Sequence, residues 1–155
     1  MRLLFRQRFF SLLDSYDIYD EAGNVVFVVK GQLSWGRRLE IFDAIGSNIG
    51  TVKEELFTLL PRCTFYIYGQ PVGQIRKRFT FLKPVYYLNC NGWHVEGNFL
   101  GWDYRITDPM GTSVVQASRH LSWTDTYTID IPDPANVLLA LMTVLAIDVA
   151  NSRSR

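Results

Sequence analysis

Apolar and polar residues alternate along most of the first 130 positions, and the alternation breaks at a recurring tetrapeptide. The segments YDIYDEAG (16–23), LEIFDAIG (39–46) and YRITDPMG (104–111) each run into Asp-x-x-Gly, after which the alternation resumes. A period of two places successive side chains on opposite faces of a β-strand. In a four-residue turn, Asp at the first position bonds a backbone N–H two residues on, and Gly suits the fourth position. Each segment therefore predicts a β-hairpin.

Two further segments repeat this pattern in a weaker form. FYIYGQPVG (65–73) keeps the glycines, and YYLNCNGWHVEG (86–97) carries Asn-Gly, a strong turn dipeptide. Five hairpins supply about ten strands, and the segments 3–5 and 126–131 add one strand each. An open sheet of about twelve strands would leave two edges exposed, whereas closure into a barrel removes both. The pattern predicts a mostly β protein, a closed antiparallel barrel.

The C-terminal stretch DPANVLLALMTVLAIDVANSRSR (133–155) has a different pattern. Asp133 before Pro134 is a helix start, since Asp caps free N–H groups and Pro is tolerated at the first helical position. The residues that follow are apolar on all sides, so the helix must be buried in protein or lipid. A membrane span needs about 20 predominantly apolar residues, more than this stretch offers before Asp148. We predict a central helix over 134–150 that fills the barrel, with a membrane anchor as the alternative.

The repeated hairpins at 16–23, 39–46 and 104–111, followed by a hydrophobic helix at 134–150, resemble the LURP-one-related family of the tubby-like superfamily. The resemblance implies one tubby-like domain over 1–155, with twelve strands around a central helix. It implies no enzymatic activity. The same fold occurs in tubby C-terminal domains, which bind phosphoinositide head groups, and in phospholipid scramblases.

Composition limits the expected cellular compartment and the expected classes of binding partner. The formal net charge is +1, which provides no overall field for nucleic acid, so nucleic acid is not an expected partner. Arginines at 2, 6 and 8 interrupt the first apolar run before a signal-peptide core can form, which predicts a cytoplasmic protein. Cys63 and Cys90 match no zinc or redox spacing, and their apolar neighbours predict two buried, unpaired thiols.

The most concentrated charge lies in QIRKRFTFLK (74–83). On a strand, Arg76 and Arg78 share one face, whereas Lys77, Phe79 and Phe81 share the other. An arginine pair can bind a phosphate through two parallel hydrogen bonds. We predict a basic ligand-binding patch; its residues are Arg76, Lys77, Arg78 and Lys83. The alternative is a solvated strand face whose charges protect an edge.

Candidate catalytic residues are sparse. His94 stands in WHVEG, and His120 lies close to Ser122 and Asp125 in RHLSWTD, where a polar loop is the expected structure. A working triad also needs an oxyanion hole and a geometry that local sequence rarely provides. The sequence contains no phosphate loop, dinucleotide fingerprint or zinc spacing, so we expect no cofactor and no metal.

The repeated aspartates and the tryptophans are assigned structural roles. Asp20, Asp43 and Asp108 lack the dense carboxylate spacing of a calcium loop and are expected to form turns. Three tryptophans stand beside glycines, which predicts that the rings pack over sites where strands bend. The four tryptophans are Trp35, Trp93, Trp102 and Trp123.

Together these observations predict a non-catalytic binding or scaffold module whose partner is an anionic phospholipid or another protein. A membrane-associated protein anchored by its C-terminal helix is the first alternative. A hydrolase that uses His120 and Ser122 is the second.

Overall fold

The computed structural model describes residues 1–5, 15–81, 83–120 and 126–153, and only the backbone of Leu33 and Arg153. The strands are β1 (Arg2–Phe5), β2 (Ser15–Tyr19), β3 (Val25–Ser34), β4 (Gly36–Asp43), β5 (Asn48–Glu54), β6 (Arg62–Ile67), β7 (Gln70–Thr80), β8 (Lys83–Leu88), β9 (Trp93–Asn98), β10 (Asp103–Thr107), β11 (Ser113–His120) and β12 (Thr126–Asp130). A short 3-10 helix (Pro134–Asn136) leads into the helix α1 (Val137–Arg153).

Every strand pairs antiparallel with its neighbours in sequence, and β1 pairs with β12 to close the barrel. Closure gives every strand a partner on both sides, which removes the exposed edges that an open sheet of this width would present. The predicted barrel of about twelve strands is confirmed, including the two strands that flank the hairpins.

The connections fall at two ends of the barrel because successive strands run in opposite directions. The five predicted hairpin turns, which join β2–β3, β4–β5, β6–β7, β8–β9 and β10–β11, all lie at one end, the Asp-turn end. The connections β3–β4, β5–β6, β7–β8 and β9–β10 lie at the other, which we call the aromatic end. Residues 20–23, 43–46 and 108–111 define the Asp-turn end, and residues 34–36, 55–61, 80–81, 83 and 99–102 define the aromatic end.

The Asp-x-x-Gly turns have the predicted geometry. Asp43 Oδ1 accepts hydrogen bonds from the N–H groups of Ile45 (3.1 Å) and Ser47 (2.8 Å). The Gly46 N–H donates to the Asp43 carbonyl at 3.1 Å, and Gly46 has φ +90°. Asp108 makes the equivalent bonds two and four residues on, both at 2.9 Å. Each carboxylate thus satisfies two backbone donors, and each glycine takes a left-handed conformation that other residues resist.

The C-terminal helix occupies the interior of the barrel. The Asp133 carboxylate accepts from the Ala135 N–H at 3.0 Å, which confirms the predicted cap. All residues from 140 to 151 are buried, so more than three turns of helix are covered on every face. The predicted central helix is confirmed, and it extends to Arg153. In the described chain, one helical stretch (Pro134–Ser152) has the length and apolarity to cross a membrane, but 72% of its most apolar window is buried inside the barrel.

Polar groups along the helix find partners within the barrel. The Thr143 hydroxyl donates to the Leu139 carbonyl at 2.8 Å. Near the helix C-terminus, the Arg37 guanidinium donates to the Val149 carbonyl at 2.9 Å, which places a positive charge close to the negative end of the helix. Burial, and secondarily the nearby Asp148 charge, raises the pKa of Tyr104. These contacts fix the helix C-terminus at the aromatic end.

Candidate functional site

The four predicted basic residues occupy three different places. Strand β7 carries Arg76 and Arg78 on the outer face of the barrel, because Ile75 between Gln74 and Arg76 points into the core. Lys77 lies on the opposite face, near the aromatic end, where its ammonium is 5.8 Å from the centroid of the Phe79 ring. Lys83 begins β8 and is paired with Thr80. The predicted alternation on this strand is therefore present, but the four cations do not form one cluster.

A fifth basic residue joins the outer-face pair. Arg62 on β6 lies directly opposite Arg76 in the strand register, and Tyr87 on β8 lies opposite Arg76 on the other side. The Arg78 guanidinium carbon lies 4.7 Å from the centroid of the Tyr87 ring, within the range of a cation–π contact. We call Arg62, Arg76, Arg78 and Tyr87 the arginine cluster. Arg62 was not among the predicted residues, because its pairing depends on the hairpin turn together with a β-bulge in β7 that shifts the register by one residue.

The arginine cluster is electrostatically unbalanced. Like charges directly opposite each other across an antiparallel pair destabilise a sheet. Among the residues that the structure describes, the ion pairs are Arg2 with Asp130 and Arg38 with Glu40, so neither pair involves the cluster. The Nε atom of Arg76 is buried and has no hydrogen-bond partner in the part of the chain that the structure describes.

The acidic residue beside the cluster, Glu55, forms no ion pair with it among the described residues. The Glu55 N–H donates to the Arg62 carbonyl at 2.9 Å, which brings the two residues side by side. The Glu55 carboxylate, however, accepts a hydrogen bond from the Thr64 hydroxyl at 2.7 Å. A buried donor without a partner costs about 1–3 kcal/mol, and an anionic oxygen placed between the guanidinium groups would remove that cost. The geometry of the cluster suits a phosphate or a carboxylate ligand.

An open groove of about 1080 Å³ adjoins the cluster on the outer face of β8 to β11. The His94 ring lines this groove and meets the Tyr87 ring edge-on, with 5.0 Å between the centroids. Glu96 and Arg105 lie directly opposite each other in the wall, so their charges offset one another. Lys83 lies at the rim beside Phe81 and adds a further cation within reach of a ligand in the groove. The arginine cluster and the groove form one continuous surface.

The structure gives the candidate catalytic histidines structural neighbours. His120 ends β11 rather than lying in a loop, and its Nε2 is 3.2 Å from the Thr128 hydroxyl. Ser122 and Asp125 lie outside the described residues. No group of three or more His, Cys, Asp or Glu side chains comes together as a metal site within 1–5, 15–81, 83–120 and 126–153.

The prediction that the tryptophan rings are packed is correct for two of the four and wrong for one. Trp93 and Trp102 are buried, and the Trp102 ring packs against Phe5 and Tyr127. Trp35 is instead 82% exposed, because it forms the tip of the β3–β4 connection and its ring extends beyond the barrel. Trp123 lies outside the described residues.

Cys63 and Cys90 form no disulfide, as predicted, but only one of the two is buried. Cys63 lies inside the barrel on β6. The prediction of a buried Cys90 is wrong, since this residue is exposed in the β8–β9 turn. Its apolar neighbours in sequence belong to the preceding strand, which ends at Leu88. Partial burial raises the pKa of the Cys90 thiol, consistent with the close approach of Gly73 to the sulfur.

A closed barrel of twelve antiparallel strands around a hydrophobic helix is the architecture of tubby-like proteins. Residues 1–148 match the sequence model of the LURP-one-related family, and the chain belongs to that family. The resemblance inferred from the hairpins and the helix is confirmed.

Two known proteins are similar to this chain over nearly its whole length. An uncharacterised protein of Bacillus subtilis (strain 168), YxjI, is 28% identical over 150 residues, which cover 96% of this chain and 93% of the relative. The X-ray structure of a protein from Arabidopsis thaliana matches with a TM-score of 0.67 at 18% identity and covers 96% of this chain and 90% of the plant chain. At that identity the likeness concerns the fold alone. Neither name specifies a ligand or a reaction.

Proposed function

We propose that this protein is a non-catalytic binding module for the phosphate groups of anionic phospholipids, and that it acts at the cytoplasmic face of a membrane. The arginine cluster is the observation that carries this proposal. Three guanidinium groups on one outer face lack an ionic partner among the described residues, and one of them holds a buried, unsatisfied donor.

The chemistry of arginine favours a phosphate ligand over a single carboxylate. A guanidinium group presents parallel N–H donors that match two phosphate oxygens, and its weak hydration makes desolvation less costly than for an ammonium. Arg62 and Arg76 lie directly opposite each other, so a phosphate between them would replace their repulsion with two charge-assisted contacts. Arg78 is held over the Tyr87 ring, which orders a third cation at the edge of the same site.

Vesicle binding tests the proposal. We expect the full-length chain to co-sediment with vesicles of equal parts phosphatidylcholine and phosphatidylserine, and not with phosphatidylcholine alone. Binding should weaken as salt increases, since surface charges are screened. The double variant Arg76→Gln/Arg78→Gln should lose about 2 kcal/mol, or about thirtyfold in partition, since each basic residue near an anionic surface contributes about 1 kcal/mol.

A charge-matched control separates a local site from a general effect of net charge. The variant Arg2→Gln/Lys30→Gln also removes two positive charges, but from β1 and β3, away from the cluster. We expect this variant to bind nearly as well as the unaltered chain. Equal losses in both double variants would contradict a local site, and no salt-sensitive binding to anionic vesicles would exclude the lipid ligand and leave a protein partner to be sought.

A further inference from the structure

Large apolar side chains project from every connection that the structure describes at the aromatic end. They occupy the β3–β4, β5–β6, β7–β8 and β9–β10 connections, and they are Trp35 (82% exposed), Phe57 (97%), Leu59 (100%), Phe81 (94%) and Leu100 (58%). Exposed apolar residues that occur singly need no explanation, but a ring of them around one end of a barrel marks an interaction surface. The Asp-turn end has Ile45, Tyr68 and Met110 in three of its five turns.

Two of these tip residues are held in an unfavourable backbone conformation. Phe57 has φ +59° and Phe81 has φ +48°, in the left-handed region where Gly and Asn are more stable than an aromatic residue. The other non-glycine residues with positive φ in the described chain are Trp102, which is buried, and Tyr68, which is exposed at the Asp-turn end, so that end has one such position and the aromatic end has two. Solvent-exposed positions that retain an aromatic residue against backbone preference are typical of functional sites.

Charge differs between the two ends. Near the aromatic end, cations flank the tips on β5 to β8; they are Lys53, Arg62, Arg76, Lys77, Arg78 and Lys83. The carboxylates near that end are fewer: Glu54 is buried with one oxygen 3.4 Å from the Arg37 backbone nitrogen, Glu55 accepts from Thr64, and Asp103 is exposed. The Asp-turn end instead carries exposed or partly exposed acids; they are Asp20, Glu21, Asp43, Asp108 and Asp133. The molecule therefore has a basic, apolar end and an acidic end.

Aromatic and aliphatic tips surrounded by arginine and lysine match the layers of an anionic membrane surface. Apolar side chains, aromatic ones above all, reside at the boundary between head groups and acyl chains, while neighbouring cations contact the phosphates. A negative surface would also repel the acidic Asp-turn end and so favour one orientation. A protein partner would need a pocket for each projecting tip, whereas a lipid surface accommodates all of them without a matched shape.

We propose that the aromatic end docks end-on onto an anionic phospholipid membrane, with the tips of the four described connections inserted among the head groups. The arginine cluster and Lys83 then contact lipid phosphates around the inserted tips. The barrel axis is perpendicular to the plane of the membrane. This orientation rests on the proposed lipid binding and adds to it an insertion surface, which the arginine cluster alone does not require.

Site-specific labelling tests the orientation. In a Cys90→Ser background, we would label Leu59→Cys at the aromatic end and Ile45→Cys at the Asp-turn end with an environment-sensitive fluorophore. On addition of vesicles of equal parts phosphatidylcholine and phosphatidylserine, emission from position 59 should shift to the blue and be quenched by spin-labelled lipid. Emission from position 45 should not change. Binding with no change at position 59, or with equal changes at both positions, would overturn the end-on orientation but leave the proposed lipid binding intact.

A second set of variants separates insertion from phosphate contact. The double variant Phe57→Asn/Phe81→Asn relieves the backbone conformation, so it should fold at least as stably as the unaltered chain while its vesicle partition falls about tenfold. The matched variant Ile45→Ser/Met110→Ser should lose less than about twofold. Unchanged partition for the asparagine variant would contradict insertion. Absence of vesicle binding by the unaltered chain would refute both the orientation and the proposed function.

Discussion

The two ends of the barrel are built on opposite principles. At the Asp-turn end, carboxylates satisfy backbone donors and, Tyr68 excepted, glycines take the positive φ values, so local sequence and local conformation largely agree. At the aromatic end, phenylalanines adopt positive φ, apolar rings face solvent, and arginines oppose each other without a counter-ion among the described residues. Departures from local preference that cost stability tend to be retained where function requires them. The contrast indicates that one end stabilises the fold and that the other end interacts.

The largest effect is expected from the element that spans both ends. Leu141→Lys places an ammonium at a position with no exposure, where it cannot be solvated, and should cost about 3–5 kcal/mol, enough to unfold a domain of ordinary stability. Truncation after Ile131 should have the same outcome. Thermal melts followed by circular dichroism would measure both. Ala135→Lys, at an exposed position before the helix, is the control, and a truncated chain that melts cooperatively as a monomer would disprove the central role of the helix.

Next in size is a change at the Asp-turn end. Asp43→Ala leaves the Ile45 and Ser47 N–H groups without their side-chain acceptor and should lower the free energy of unfolding by about 1–2 kcal/mol. Chemical denaturation would measure the loss. Vesicle binding at saturating lipid should be unaffected for the folded fraction. A weaker affinity for vesicles after Asp43→Ala would show that the Asp-turn end also contributes to binding, which would contradict the proposed difference between the two ends.

The barrel wall between the ends supplies a pH-dependent effect. Burial raises the pKa of Glu40, but hydrogen bonds from Thr51, Arg38 and Asn48 outweigh it and leave the pKa below the ordinary 4.5. The unfolded chain therefore takes up this proton first, so the stabilisation is complete above pH 4.5 and is lost as pH falls through the folded-state pKa. Urea titrations would give the difference in free energy of unfolding between the unaltered chain and Glu40→Gln, and this difference should shrink as the pH falls below the folded-state pKa of Glu40. A difference that is independent of pH would contradict a stabilising role for the charged Glu40 carboxylate.

The smallest effect has the opposite sign. Arg76→Leu removes the repulsion across β6 and β7 and the buried, unsatisfied Nε, so it should raise the free energy of unfolding by about 0.5–1 kcal/mol while it weakens vesicle binding. A purely structural arginine would behave differently, and its loss would destabilise the protein. A stability gain without any loss of binding would place the ligand elsewhere. Inorganic phosphate should raise the melting temperature of the unaltered chain more than that of the variant.

Local signals in the sequence were sufficient for most of the fold. The Asp-x-x-Gly turns act through bonds within five residues, and the apolar helix signals burial by composition alone, so both were predictable. The pairing of Arg62 with Arg76 was not, because a β-bulge at Val72 shifts the strand register by one residue from the one that the Tyr68-Gly69 turn alone would give. Burial of Trp35 was predicted wrongly for a related reason. Whether a residue in a connection is covered depends on parts of the chain that are distant in sequence.

The pairing of β1 with β12 has a consequence for how the chain reaches its folded state. Every other strand pair joins neighbours in sequence, whereas Arg2 meets Asp130 across 128 residues. The strand that completes the barrel and the helix that fills its interior follow all the other described strands in the order of synthesis. Partial chains therefore hold hairpins without an interior to pack against, and the barrel closes only after β12 and α1 have been made. Until then, the inward apolar faces of the earlier described strands are exposed to aggregation.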